Sequence, residues 1–295
     1  MPSPLAIISG ATGTIGQAVT QRLWREGYSV LALGRTPEKL QSLHAWLSNY
    51  PHSNQQVHYT VWMEFPGADW DRLSAYCACH RKLGGDIAVL AVCHGAALMP
   101  GRALVCFPDM QDILAVDVLS TLCLCQTIGE VMLSQEHGSI ALISSLHAYQ
   151  TYPERVPYAT TKAAICGMAR ALAVEWGPHG VRTNTILPWQ VRGPRSQALA
   201  DAVTQQTGED LLEQYRQRSP MRRLVEPDDI AEAVLFLARN PACNGVELVL
   251  DGGVSQSMWY QGFVERKPAD VLHRLKSGGS EEGGSEPVSG RLSTG

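Results

Sequence analysis

Seven short apolar runs alternate along this chain with longer amphipathic stretches, and no other feature limits the fold so strongly. The runs are LAIIS (5–9), YSVLAL (28–33), VHYTVWM (57–63), DIAVLAVC (86–93), SIALIS (139–144), VRTNTIL (181–187) and VELVL (246–250). The first, fourth, fifth and last are nearly continuous in apolar residues, as expected of strands covered on both faces of a parallel sheet. Helical periodicity occupies roughly 14–26, 37–49, 69–83, 109–135, 155–176, 196–218 and 227–239 between them. Strand and helix in strict alternation predict an α/β fold, a single doubly wound domain of about seven parallel strands with helices on both faces and right-handed crossovers.

The 295 residues, 45% of them apolar, suffice for one large core. Twenty-four basic against 28 acidic residues leave a net charge of −4, so no basic excess exists to displace counterions from a nucleic acid. No run of about 18 consecutive apolar residues is seen, and a membrane span is not expected. The start of the chain lacks the basic region of a signal peptide, which makes the cytoplasm the expected compartment. The eight cysteines fit reduced thiols; Cys77/Cys79 and Cys123/Cys125 have C-x-C rather than C-x-x-C spacing, and no metal site is expected. The predicted domain covers 1–262. Residues 263–295 form an extension in which 11 of the last 19 residues are Gly or Ser, a composition expected to be disordered after 276.

SGATGTIG (9–16) follows the first strand directly and opens the first helix. Glycines there allow a tight turn and close approach of a pyrophosphate, while the helix N-terminus offers free N–H groups and the positive end of its dipole. Gly10, Thr12, Gly13, Thr14, Ile15 and Gly16 are therefore candidate dinucleotide-binding residues of a Rossmann-type fold. The second strand ends Gly34-Arg35-Thr36, with no acid before Glu38. An arginine there pairs with a 2′-phosphate and a carboxylate would bind ribose hydroxyls, so Arg35 and Thr36 point to NADP(H), with NAD(H) as the alternative.

Ser144-Ser145 closes the fifth strand at the carboxyl edge of the sheet, where ligands bind in such folds. Tyr158 follows Ser145 by thirteen residues, and Lys162 stands one helical turn beyond it on the same face. An ammonium so placed favours the phenolate, which suits Tyr158 to general acid/base work. The glycine loop, Ser145, Tyr158-x-x-x-Lys162 and the late segment Gly245-Val-Glu-Leu-Val-Leu-Asp251-Gly-Gly253 together resemble the short-chain dehydrogenase/reductase family over about residues 5–254.

The resemblance implies hydride transfer between nicotinamide and a ketone or secondary alcohol of a polar small molecule. Tyr158 would donate the proton, Ser145 would hold the carbonyl oxygen, and Lys162 would bind the nicotinamide ribose. It also implies cofactor contacts from Cys93 and Gly95 after the fourth strand, and from Pro188 and the main chain of Val191 after the sixth. A homo-oligomer is implied too, with Trp259-Tyr260 as candidate interface aromatics.

Four positions depart from the family pattern. The glycine spacing Gly10, Gly13, Gly16 is that of the family's extended branch, whereas the other motifs match its shorter branch. Cys93-His94 replaces an Asn-containing stretch, with His94 read as a satisfied buried histidine. Asp117 stands in place of an asparagine that relays protons to the lysine. Trp189 stands in place of a glycine, and the threonine of that segment is lost. His147, Trp189 and Arg192, with Tyr149, Gln150, Arg195 and Gln197 near them, are the candidate substrate-facing residues. The same residues also fit a non-catalytic nicotinamide-binding regulator or scaffold, or an epimerase or dehydratase that retains its cofactor.

Overall fold

The structure, a computed structural model, describes residues 3–50, 58–62, 70–82, 85–95, 107–153 and 155–257. Strands β1 (Leu5–Ser9), β2 (Ser29–Gly34), β3 (His58–Trp62), β4 (Ile87–Val92), β5 (Gly138–Ile143), β6 (Val181–Pro188) and β7 (Glu247–Leu250) form one parallel sheet. Its order is β3-β2-β1-β4-β5-β6-β7, so the chain reverses direction across the sheet between β1 and β4. The helices are α1 (Thr14–Arg25), α2 (Pro37–Ser48), α3 (Trp70–Lys82), α4 (Phe107–Leu114), α5 (Ser120–Ser134), α6 (Val156–Trp176), α7 (Pro194–Thr207), α8 (Leu211–Arg218) and α9 (Pro227–Arg239).

Successive strand side chains point to opposite faces, and here both faces are buried. Ala6, Ile8, Val30, Ala32, Val89 and Ala91 enter one core with Val19 and Leu23 of α1 and Val234 of α9. Leu5, Ile7, Leu31, Leu33, Leu90 and Val92 enter the other with Leu124 and Ile128 of α5 and Ile165 of α6. That double burial is why the runs read as continuously apolar.

Two expected helices are broken. The stretch expected at 109–135 is α4, a π turn at Ala115–Leu119, and α5. The inserted residue of a π turn re-aims side chains and is common at functional sites; here it carries the buried Asp117. The stretch expected at 196–218 is α7 and α8, separated at Gly208, which adopts φ +76°. Asp210 then caps α8 by accepting a hydrogen bond from the Glu213 N–H at 3.0 Å.

Among the described residues, 110–134 are long and apolar enough by composition to cross a bilayer, which the sequence reading did not anticipate. In the fold this run packs its Leu124, Cys125, Ile128 and Met132 into the core beneath the sheet. The described residues lie within the unit Met1–Ser257. The 263–295 extension and Trp259-Tyr260 fall outside the described residues.

Candidate active site

All the parallel strands end on one edge, and a cleft of about 500 Å³ opens there at the β1/β4 reversal. The glycine loop forms its floor. The Gly13 N–H bonds back to the Gly10 carbonyl at 2.9 Å, and Gly10 itself has φ +65°. A β-carbon on Gly10 would lie 2.7 Å from the His94 backbone nitrogen, and one on Gly16 would run into the Gly10 carbonyl oxygen. The loop is therefore closed by backbone contact on both sides. Gly13 gives α1 no side-chain cap and the first helical turn holds no acid, so its N–H groups are left for an anion. Gly10, Thr12, Gly13, Thr14 and Ile15 line the cleft; Gly16 holds the loop from behind.

At the end of β2, Gly34, Arg35 and Thr36 line the same cleft, joined by Lys39 from the first turn of α2. Sequence reasoning passed over Lys39, although it lies one helical turn beyond Arg35. Cys93, His94 and Gly95 line the cleft after β4. Burial pushes the Cys93 thiol up to about 12, so it stays protonated at neutral pH.

His94 is held on both ring nitrogens, as expected of a satisfied buried histidine. Its Nδ1 lies 2.7 Å from Ser9 Oγ, and its Nε2 lies 2.7 Å from Ser120 Oγ and 3.1 Å from the Val116 carbonyl. The Ser120 hydroxyl donates to the Val116 carbonyl, so Nε2 carries the ring proton and Nδ1 accepts from Ser9. Burial, with the charge of Lys162 adding to it, pushes His94 down to about 4. The neutral ring ties the end of β1 to the π turn.

Ser145 and Tyr158 both line the cleft. Ser145 Oγ accepts from the His147 N–H at 3.2 Å, which leaves its own proton to donate. Ser144 does not line the cleft; its hydroxyl donates to the Lys162 carbonyl at 2.8 Å and fixes α6 against β5. Lys162 Nζ lies 5.4 Å from the centre of the Tyr158 ring.

Behind them, Asp117 Oδ2 lies 3.3 Å from Lys162 Nζ and accepts from the Thr161 hydroxyl at 2.9 Å. Both members of this ion pair are buried. A β-carbon on Gly95 would come within 3.2 Å of Lys162 Nζ, so the pair sits directly under that glycine. Lys162 and Asp117 thus back the cleft rather than line it. Pro188 ends β6 opposite Leu250 and likewise stands back from it.

Beyond Pro188 the chain bends at Trp189-Gln190 before it runs beside Val225. Val191 bridges Val225, and the Arg192 N–H bonds the Val225 carbonyl at 2.8 Å. This places Trp189, Val191, Arg192 and Arg195 along the cleft. Trp189 is only 8% exposed. Its Nε1 donates to the Tyr152 hydroxyl at 3.1 Å, and its ring meets Tyr215 of α8 edge-on at 5.7 Å.

Tyr152 and Tyr215 carry no sequence signal, because their role depends on contacts 37 and 26 residues distant. Arg192 is engaged by Glu226 at 2.7 Å. The expected wall of Tyr149, Gln150 and Gln197 is not assembled. Tyr149 is exposed, Gln150 reaches the Ser255 carbonyl, and Gln197 bonds Asp201. Among the described residues, no group of His, Cys, Asp or Glu is arranged to hold a metal.

A family model described as enoyl-(acyl carrier protein) reductase matches residues 10–255. Over 84% of the chain it is 28% identical to a D-threitol dehydrogenase of Mycolicibacterium smegmatis, covering 92% of that protein. Over the same share it is 31% identical to an A-factor type gamma-butyrolactone 1'-reductase of Streptomyces virginiae, covering 94% of it. A crystal structure of a gluconate 5-dehydrogenase from Burkholderia cenocepacia, in complex with NADP and tartrate, superposes with a TM-score of 0.74 at 21% identity. That match covers 88% of this chain and 97% of the other. With the fold, the glycine loop and the Ser-Tyr-Lys group on one edge of one sheet, the chain belongs to the short-chain dehydrogenase/reductase family of oxidoreductases.

Proposed function

We propose that this protein is an NADP(H)-dependent oxidoreductase that interconverts a ketone and a secondary alcohol on a polar small molecule. The observation that carries this reading is the convergence of Ser145, Tyr158, the glycine loop and Arg35 on a single cleft. The residues present suit a dinucleotide phosphate. An uncapped, acid-free helix start would take the pyrophosphate, and Arg35, Thr36 and Lys39 would take a 2′-phosphate. Cys93, Gly95 and Val191 would flank the remainder of the cofactor, with Pro188 behind them at the end of β6. When bound, the nicotinamide supplies or accepts the hydride.

The chain's own work is proton handling and positioning. Ser145 has its hydroxyl proton free for the substrate oxygen. Ser145 keeps that proton and only hydrogen-bonds the oxygen; Tyr158 transfers the single proton that the oxygen gains during reduction, or takes it back during oxidation. Lys162 lies beneath the Tyr158 ring, its Nζ 5.4 Å from the ring centre. Asp117 fixes the ammonium in place, and Thr161 fixes Asp117. His147 and Trp189 shape the substrate end. Arg192, already paired with Glu226, is a weaker anion ligand than Arg195, which also lines the cleft.

Titrating the full-length protein with NADPH and with NADH, read by nicotinamide fluorescence, tests the cofactor assignment. NADPH is expected to bind at least about 30-fold more tightly, and Arg35→Ala to lower that preference about tenfold or more. Equal binding of the two would discard Arg35 as a phosphate ligand. Asparagine at 117 still offers an oxygen to Thr161 and Lys162, so Asp117→Asn is expected to keep kcat within about tenfold of the parent. Complete loss of turnover, with fold and NADPH binding intact, would show that the carboxylate charge itself is required.

A further inference from the structure

The substrate end of the cleft holds one group whose chemistry the proposed reduction of a plain ketone leaves unused. His147 ends the short helical turn after Ser145, is 9% exposed, and lines the cleft. Its ring stands edge-on to Tyr158 with centres 5.5 Å apart, and edge-on to Tyr152 at 5.1 Å. It is thus clamped between the proposed acid/base and the tyrosine that anchors Trp189. Its orientation is fixed by packing.

The ring's tautomer follows from its neighbours. Nδ1 lies 3.0 Å from the Thr151 hydroxyl, and that hydroxyl points its single proton at the Tyr152 carbonyl, 3.4 Å away. Thr151 therefore receives a proton from Nδ1, and Nε2 keeps its lone pair. Burial, reinforced by the charge of Arg155, holds the imidazole neutral by lowering its pKa. No hydrogen bond is made to Nε2 by any described residue.

A ligand that fills the cleft beside His147 shuts water off from this acceptor, so one that offers no donor there leaves it desolvated and unpaired. The two protons offered by Ser145 and Tyr158 match the two lone pairs of a carbonyl oxygen. A carbonyl oxygen has nothing to give Nε2. The geometry points to His147 Nε2 as the acceptor for a substrate hydroxyl beside the reacting carbon, making the substrate class hydroxyketones and the corresponding vicinal diols. This assignment rests on the oxidoreductase reading and narrows it.

The test uses the full-length protein with NADPH and matched ketones with and without an adjacent hydroxyl, running from hydroxyacetone and acetone, through acetoin and butanone, to ring ketones. In the parent, kcat/KM is expected to favour the hydroxylated member about 10–100-fold. His147→Phe keeps the edge contacts and removes the acceptor, so the ratio should collapse to within about threefold. His147→Gln restores an acceptor oxygen and should recover most of the ratio, which a purely packing role for the ring would not do. A ratio near one in the parent overturns the proposal, as does a ratio that survives His147→Phe. Either result, with Tyr158→Phe still inactive, leaves the oxidoreductase reading standing. If no ketone is turned over and the parent is indistinguishable from Tyr158→Phe, that reading falls and takes the hydroxyl assignment with it.

Discussion

Tyr158→Phe is expected to lower kcat by about 10³-fold while leaving the affinity for NADPH within about threefold of the parent. The phenol oxygen is the only atom removed. The Tyr158 ring still rests over Lys162 Nζ and still meets the edge of His147, so the fold and the cofactor end of the cleft have no reason to change. Steady-state turnover alongside a fluorescence titration checks both halves. Equal losses of turnover and NADPH binding would mean that Tyr158 organises the cleft instead of transferring a proton. Unchanged turnover would remove it from the chemistry altogether and bring forward a scaffold or regulator.

The second large effect belongs to Gly16→Ala. The added methyl meets the Gly10 carbonyl oxygen, which is backbone held in place by the Gly13 N–H and cannot swing aside as a side chain would. The loop must open, moving the first-turn N–H groups that would receive the pyrophosphate. We expect NADPH affinity to fall about 100-fold and stability to fall by about 1–3 kcal/mol. Gly167→Ala on α6 serves as the control. A β-carbon there meets only the end of Arg170 at 3.9 Å, so this substitution should be neutral or stabilising by about 0.5–1 kcal/mol. Comparable losses in both variants, followed by thermal melts and cofactor titration, would count against the loop as the seat of the pyrophosphate.

What the sequence discloses is whatever is written in periodicity or short spacing. The sheet was legible because both of its faces are buried, so β1, β4 and β5 spell continuous apolar runs. The glycine loop and the Tyr158/Lys162 pair were legible because their partners lie within one helical turn. The π turn at Asp117 was not, since one added residue barely disturbs the apolar pattern across 109–135. The break at Gly208 is signalled only by a glycine and an aspartate inside an otherwise helical stretch. The clamp on Trp189 was hidden for another reason: Tyr152, before α6, and Tyr215, on α8, meet it only in the tertiary fold. His94 declared its burial but not its partners, which come from three other elements.

The charge lining the cleft has a consequence for the speed of encounter. Although the whole chain carries −4, the described cleft lining contains Arg35, Lys39, Arg192 and Arg195 and no acidic side chain. A polyanion diffusing toward this acidic protein therefore meets a local attractive field at the mouth of the cleft. Such steering raises association rates by about 10-fold or more at low ionic strength and fades as the Debye length shrinks to about 8 Å in physiological salt. Capture of the dinucleotide should accordingly slow as salt rises, whereas its escape, governed by contacts already made, changes far less.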